Sequence, residues 1–241
     1  MGVTLAGLDR VVEPMREPIR QYADLVYGLA SANAKALTLF GAIAAGSFDT
    51  ARHTVHNVLV LEKVDLAILR RLAEHGAKLG KARIAAPLIM TPEYVKASLD
   101  TFPLEFIEIK QRHVTIFGEE YFDGLEFDDA HVRLQCEREL KTILIGLRQG
   151  LLAAAGRRKV ISAIEVDVGE GLMRTLRGLL WLKGKKEGMP ALQVLSEIEQ
   201  ITERKLPGLR TALDPSAQHD WNEFETLYRD VETLGQIADA W

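Results

Sequence analysis

Apolar residues recur at three- and four-residue steps near the start of the chain. Leu8, Val11, Val12, Met15, Ile19, Tyr22, Leu25, Val26 and Leu29 fall on one helical face. Pro14 and Pro18 interrupt that face and predict a kink or two shorter pieces. Ser31-Ala32-Asn33 ends it, and the period changes. Leu37-Thr38-Leu39-Phe40 reads as a short buried strand that breaks at Gly41 into a small-residue turn, Gly41-Ala42-Ile43-Ala44-Ala45-Gly46. After a polar loop, Val55, Asn57, Val58, Leu59, Val60 and Leu61 carry a second apolar strand. Helical spacing returns over residues 64–75, with Asp65 at the start and Gly76 near the stop. Residues 82–90 predict a third strand, where Pro87 marks an edge or a bulge. Thr91 is a good N-cap and Pro92 is tolerated at a first helical position, so a helix opens there and runs towards Asp100. Residues 104–110 predict a fourth strand and residues 114–117 a fifth, before Gly118.

Beyond Asp128 no strand-like run of any length remains. Residues 128–155 predict a long helix capped by Asp128 or Asp129. Residues 159–166 and 169–183 predict two more, around a break near Asp167-Val168-Gly169. Residues 190–204 and 222–240 predict the last two, and residues 206–218 look loop-like. Strands alternating with helices, then helices alone, predict an α+β class. The two domains are residues 1–126 and an antiparallel helical bundle over 127–241.

Composition narrows the function classes. Of 241 residues, 47% are hydrophobic, ample for a core, and the formal net charge is −4. There are 14 basic and 16 acidic residues up to Glu126, and 16 and 18 after it. With neither half basic, no extended nucleic-acid surface is expected. The single cysteine, Cys136, excludes an internal disulfide and any cysteine-cluster metal site. No signal-like or membrane-spanning apolar run is visible, so a cytoplasmic protein is expected, with the helices as a candidate homodimer surface.

Several residues carry candidate chemistry. Small residues directly after a strand let the backbone approach a phosphate or a packed helix, which makes Gly41, Ala42, Gly46 and Ser47 a candidate phosphate turn. His53 and His56, three residues apart, combine with Asn57 and Asp49 into a candidate soft-metal or acid/base set. His56 is also a candidate catalytic group, as are Glu105 and Glu108. In a strand those two glutamates have opposite parity, so at most one faces any cleft. Glu119, Glu120 and Asp123 read as a charged hairpin edge, which discourages sheet-to-sheet association. Arg157, Arg158, Lys159, Arg174 and Arg177 read as a solvated face, and Trp181 as bundle core.

The stretch from Leu37 to Leu61 resembles the nucleotidyltransferase superfamily that includes DNA polymerase beta, in its minimal bacterial form. In that family a strand enters a Gly-Ser turn, and the next strand carries two aspartates one residue apart. With a third carboxylate they hold two magnesium ions that clamp nucleotide phosphates. The ending Ile116-Phe117-Gly118-Glu119 is similar to the family's "-LYGE-" stretch. The resemblance implies a mixed sheet with flanking helices, a helical bundle behind it, and a cleft between the domains for a nucleotide or small molecule. Two positions matter most. Aligning the apolar run puts Val55 and Asn57 where the aspartates would stand, and a one-residue slip puts His56 and Val58 there. Neither register supplies a carboxylate pair, and Gly41-Ala42 lacks the turn hydroxyl. A nucleotidyltransferase-like protein with a degenerate catalytic centre is therefore expected, acting by ligand binding or as a scaffold, with no certain cofactor. The alternative is an active enzyme with a rewired site, using Glu105 or Glu108 with His53, His56 or Asp49; magnesium and an NTP would then be its cofactors.

Overall fold

The computed structural model describes residues 4–214, 216–217 and 220–241. The first long element, α1, is Glu13–Ala30. Pro14 sits in its first turn, where a missing N–H removes no helical bond; Pro18 lies inside the helix and gives up one bond, yet α1 runs through it as a single element instead of two shorter pieces. The strands β1 (Ala34–Phe40) and β2 (His56–Leu61) follow, then the short helices α2 (Leu66–Ala73) and α3 (Gly76–Lys81). Asp65 caps α2 by accepting from the Ala67 N–H at 2.8 Å. Gly76, expected near a helix stop, instead opens α3. Next come β3 (Leu88–Met90), α4 (Pro92–Ala97), α5 (Pro103–Gln111) and β4 (His113–Gly118). Thr91 caps α4 by accepting from the Tyr94 N–H at 3.1 Å.

The four strands form one mixed sheet in the order β3-β2-β1-β4. β1 is antiparallel to both β2 and β4, and β2 runs parallel to β3. The strand expected over residues 82–90 is reduced to three residues plus a Val55–Ile84 bridge, with β3 at the sheet edge. Pro87 immediately precedes it, where a missing ladder donor is tolerated.

Residues 104–110 are a helix, against the strand expected there. The reason lies in Phe106-Ile107, which breaks strict alternation. A strand would send Leu104 and Ile107 to opposite faces, whereas three residues apart on a helix they share one, and both join the same apolar core.

The helical region is α6 (Asp129–Ala154), α7 (Arg158–Leu182), α8 (Ala191–Thr202), α9 (Pro207–Ala212) and α10 (Trp221–Ala240). Asp128 is the α6 cap, and Asp220 caps α10 through the Asn222 N–H at 2.9 Å. The expected break at Gly169 is absent, and α7 is continuous. That glycine answers to packing: a Cβ there would stand 2.9 Å from the Ala212 Cβ of α9. Gly178 is tighter still, with Leu104 Cδ2 at 2.3 Å and Cys136 Sγ at 2.8 Å from a built Cβ. The stretch expected to be loop-like carries α9, and its end at Gln218 lies outside the described residues.

Contacts divide the chain into two compact units. One comprises the chain up to Leu99 with Glu108–Glu126; the other comprises Asp100–Ile107 with Phe127–Trp241. Trp181 is buried in the second unit's core, edge-on to Phe127. Among the described residues no helix is long and apolar enough to cross a membrane.

Two buried carboxylates tie α9 into the second unit. Glu199 accepts from the Leu206 N–H at 2.9 Å and from Arg210 Nη2 at 2.8 Å. Asp230 accepts from the Leu209 N–H at 2.9 Å. Burial pushes the Asp230 carboxyl up to about 6, against the backbone donors of Leu209 and Gly208, and nearby Glu199 adds to the rise.

The folded chain thus holds the Asp230 proton more tightly than the unfolded chain does. Its contribution to stability is full below the ordinary carboxylate pKa near 4 and is lost as pH rises through about 6. The loss is on the order of 3 kcal/mol. Urea titrations from pH 4 to 7 should therefore show a flatter stability profile for Asp230→Asn than for the wild type. Independently, Gly178→Ala should destabilise the second unit by about 1–3 kcal/mol through overpacking, measured by the same unfolding curves.

Candidate functional site

In the first unit, the pairing of β1 with β2 sets which side chains share a face. Leu39 pairs with Asn57, Thr38 with Val58 and Phe40 with His56. Leu37, Leu39, Val55, Leu59, Leu61, Val114 and Ile116 pack in one cluster with the α1 residues Met15, Ile19, Tyr22 and Val26. Asn57 lies on this α1-facing side and is 1% exposed. Its Oδ1 accepts from the Tyr22 hydroxyl at 2.8 Å, and its Nδ2 donates to the Ala85 carbonyl at 3.0 Å. Burial raises the Tyr22 hydroxyl well above the usual phenol range, so it stays a donor. Alternation puts His56 and Val58 on the other side, with His56 exposed and Val58 buried.

The small-residue turn is internally bonded. Gly41 and Gly46 take φ of 74° and 70°, left-handed values that glycine adopts without a Cβ penalty. The Ala44 and Ala45 N–H groups donate to the Gly41 carbonyl at 3.1 and 3.0 Å, and Ser47 N–H donates to the Ala42 carbonyl at 3.2 Å. The Gly41 N–H reaches the Arg112 carbonyl at 3.3 Å, joining the turn to the start of β4. Asp49 and His53 stabilise the loop that follows. The Asp49 N–H donates to His53 Nδ1 at 2.8 Å, the Asp49 carboxylate accepts from the Ala51 N–H, and the His53 ring packs on Phe48. Asn57 points into the core and Asp49 and His53 belong to this loop, so the expected metal set is divided between two environments.

Glu105 and Glu108 stand three residues apart on α5, so the strand parity expected for them does not apply. Glu105 belongs to the helical unit. There it accepts from Gln135 Nε2 at 2.8 Å and Arg174 Nη1 at 3.1 Å, while Gln135 Oε1 accepts from the Leu104 N–H at 2.9 Å. This network bridges α5, α6 and α7. Glu108 is half-buried on the next turn.

The densest polar constellation of the first unit centres on His113, which none of the expected sites included. His113 opens β4, and its side chain is 7% exposed. Its Nδ1 lies 2.9 Å from the Ile109 carbonyl, which can only accept, so that nitrogen carries a proton. Nε2 lies 3.1 Å from Glu120 Oε1 and 3.5 Å from Asp123 Oδ1. Glu120 Oε1 also accepts from the Phe122 N–H at 2.8 Å, and Oε2 accepts from Thr115 Oγ1 at 2.6 Å. Because Thr115 uses its one hydroxyl proton there, the Thr38 hydroxyl, 3.1 Å away, donates to Thr115. Burial alone would raise the Glu120 carboxyl. The Thr115 and Phe122 donors and the neighbouring His113 outweigh it and hold the group below the usual carboxylate range.

This network borders a cavity of about 550 Å³ whose walls include Ala44 of the turn, Arg10, Lys110, Arg112, Thr115 and Asp123. The sequence holds one signal for this cluster: His113 and Thr115 occupy alternate strand positions just ahead of Glu120 and Asp123, two residues of the expected charged edge.

No family model matches the chain, and no curated protein does. Among solved structures it is similar to the spectinomycin adenyltransferase from Enterococcus faecialis, determined with ATP and spectinomycin. The TM-score is 0.58 at 10% identity, over 92% of this chain and 98% of that one. At that identity the likeness is one of fold. The chain has the α+β nucleotidyltransferase fold, a mixed sheet with flanking helices and a C-terminal helical region.

Removing the Tyr22 hydroxyl would leave Asn57 Oδ1 buried without its donor. Tyr22→Phe should therefore cost about 1–3 kcal/mol in chemical denaturation. A change within a few tenths of a kcal/mol would show that Asn57 has another partner.

Proposed function

We propose that this chain is a nucleotidyltransferase-fold protein that has lost nucleotidyl transfer and works by binding a nucleotide or another small anionic ligand. The observation that carries the reading is the direction of β2. The strand, His-Asn-Val-Leu-Val-Leu, contains no carboxylate, and its first two positions on the face away from α1 are His56 and Val58. One imidazole and one isopropyl group do not fit a pair of magnesium ions, which need hard oxygen ligands. Asn57, the other candidate, has its amide bonded to Tyr22 and Ala85. Three N–H groups of the turn are bonded within the turn itself, which suits a packing corner better than a phosphate cradle.

The ligand half of the proposal rests on the cavity beside the turn, where Arg10, Lys110 and Arg112 supply positive charge next to the carboxylates of Asp9, Glu120 and Asp123. The structural neighbour was solved with a nucleotide and a small molecule, which makes ATP a reasonable first probe.

Calorimetric titration of ATP, GTP, CTP and UTP, with and without magnesium, tests binding, and pyrophosphate release tests transfer. Expected are heats that change little with magnesium and no pyrophosphate above the blank. Magnesium-dependent pyrophosphate release that disappears in Glu105→Ala or Glu108→Ala would overturn the reading in favour of a rewired enzyme. A folded sample that gives no heat with any nucleotide would remove the nucleotide and leave the scaffold role.

A further inference from the structure

We propose that His113, Glu120 and Asp123 form a zinc-type divalent metal site with an open coordination position facing the cavity beside β4. Metal uptake concerns residues outside β2 and the small-residue turn and is tested without any nucleotide, while the ligand at the open position shares the cavity of the proposed function and rests on that reading. The donor atoms of the three side chains all lie within 4.8 Å of one another, the one such set of His, Cys and carboxylate groups among the described residues.

Three observations point to a cation rather than to an ordinary ion pair. The first is the orientation of the imidazole. With Nδ1–H committed to the Ile109 carbonyl, Nε2 is left facing two carboxylates from inside a largely buried ring. A backbone carbonyl on the far nitrogen is how metal-binding histidines are held in one tautomer.

The second is spacing. Bonds of about 2.0–2.1 Å from zinc to nitrogen and oxygen place tetrahedral ligands roughly 3.3 Å apart. The Nε2-to-oxygen separations, 3.1 and 3.5 Å, straddle that value. The third is support behind the ligands. Thr115 and the Phe122 N–H hold both Glu120 oxygens, Thr38 holds Thr115, and Lys110 Nζ holds the Asp123 backbone carbonyl. Outer contacts of this kind orient a metal's first ligands.

Three protein ligands leave a fourth position free, the arrangement of a site that takes water or a substrate atom. The same cavity is walled by Arg10, Lys110 and Arg112, so the ligand class that fits the open position is an oxyanion, with phosphate the simplest probe.

The test uses the full chain stripped with chelator. Zinc is titrated against a chromophoric competitor, and cobalt is added in parallel for its visible absorption. One zinc per chain, intense tetrahedral cobalt bands and a rise in melting temperature with zinc are expected. Asp123→Asn and Glu120→Gln should each weaken zinc by at least about tenfold and abolish the thermal shift, and Thr115→Val should weaken it by about tenfold through Glu120. Asp123 has a 76% exposed side chain, so Asp123→Asn leaves the core untouched, and circular dichroism checks its fold. Absence of saturable uptake, or unchanged affinity in both ligand variants, would overturn the site. Inorganic phosphate should perturb the cobalt spectrum, and an unchanged spectrum would overturn the open position.

Discussion

A single buried amide governs the first unit. Asn57 is the second residue of β2 and is buried among apolar neighbours, and an amide so placed is tolerated only when its oxygen and nitrogen both find partners. Tyr22 from α1 and the Ala85 carbonyl supply them. The arrangement constrains three elements at once: it fixes how α1 is rotated on the sheet, which face of β2 looks inward, and how closely the segment before β3 approaches. A one-residue slip of β2 would turn Leu59 and Leu61 away from the α1 core and leave Tyr22 with a buried hydroxyl and no acceptor.

What the other face of the sheet can do follows from that choice. Because Asn57 faces α1, the alternate positions left for the opposite face are His56 and Val58, and β2 brings no carboxylate to it. Polar side chains gather instead at β4, where Thr38 donates to Thr115, Thr115 donates to Glu120, and Glu120 faces the His113 imidazole. β1 makes this possible by pairing with β2 on one side and β4 on the other, with Phe40 opposite His56 in one ladder and His113 in the other.

The second unit repeats the logic with carboxylates. Glu199 and Asp230 are buried on α8 and α10, and both are aimed at the short segment around α9. A helix of six residues is too short to be stable alone. It is held because its first N–H groups meet buried acceptors and because Gly208 lets the chain lie directly on the α10 backbone at Leu227.

Local pattern was enough for much of this. The period of apolar residues reveals α1, β1, β2, β4, α6, α8 and α10, and residues such as Asp65, Thr91 and Asp128 mark helix starts through their own short-range hydrogen bonds. The strand–turn–strand order around Gly41 carries the fold class for the same reason. Where the answer depended on which distant surface an element meets, pattern was silent. The residues from Leu104 to Lys110 mix four apolar with three charged positions in no clean period and suit a strand or a helix, until packing puts Leu104 and Ile107 in one core. Gly169 looks like a helix break until Ala212 lies against it. His113, Glu120 and Asp123 are spread over eleven residues, and only the close of the chain after β4 folds the two carboxylates back onto the imidazole. Periodicity is a property of neighbours three or four residues apart, so the sequence by itself determined the elements and their order. The tertiary structure decided which face each element buries, and with it where the chemistry stands.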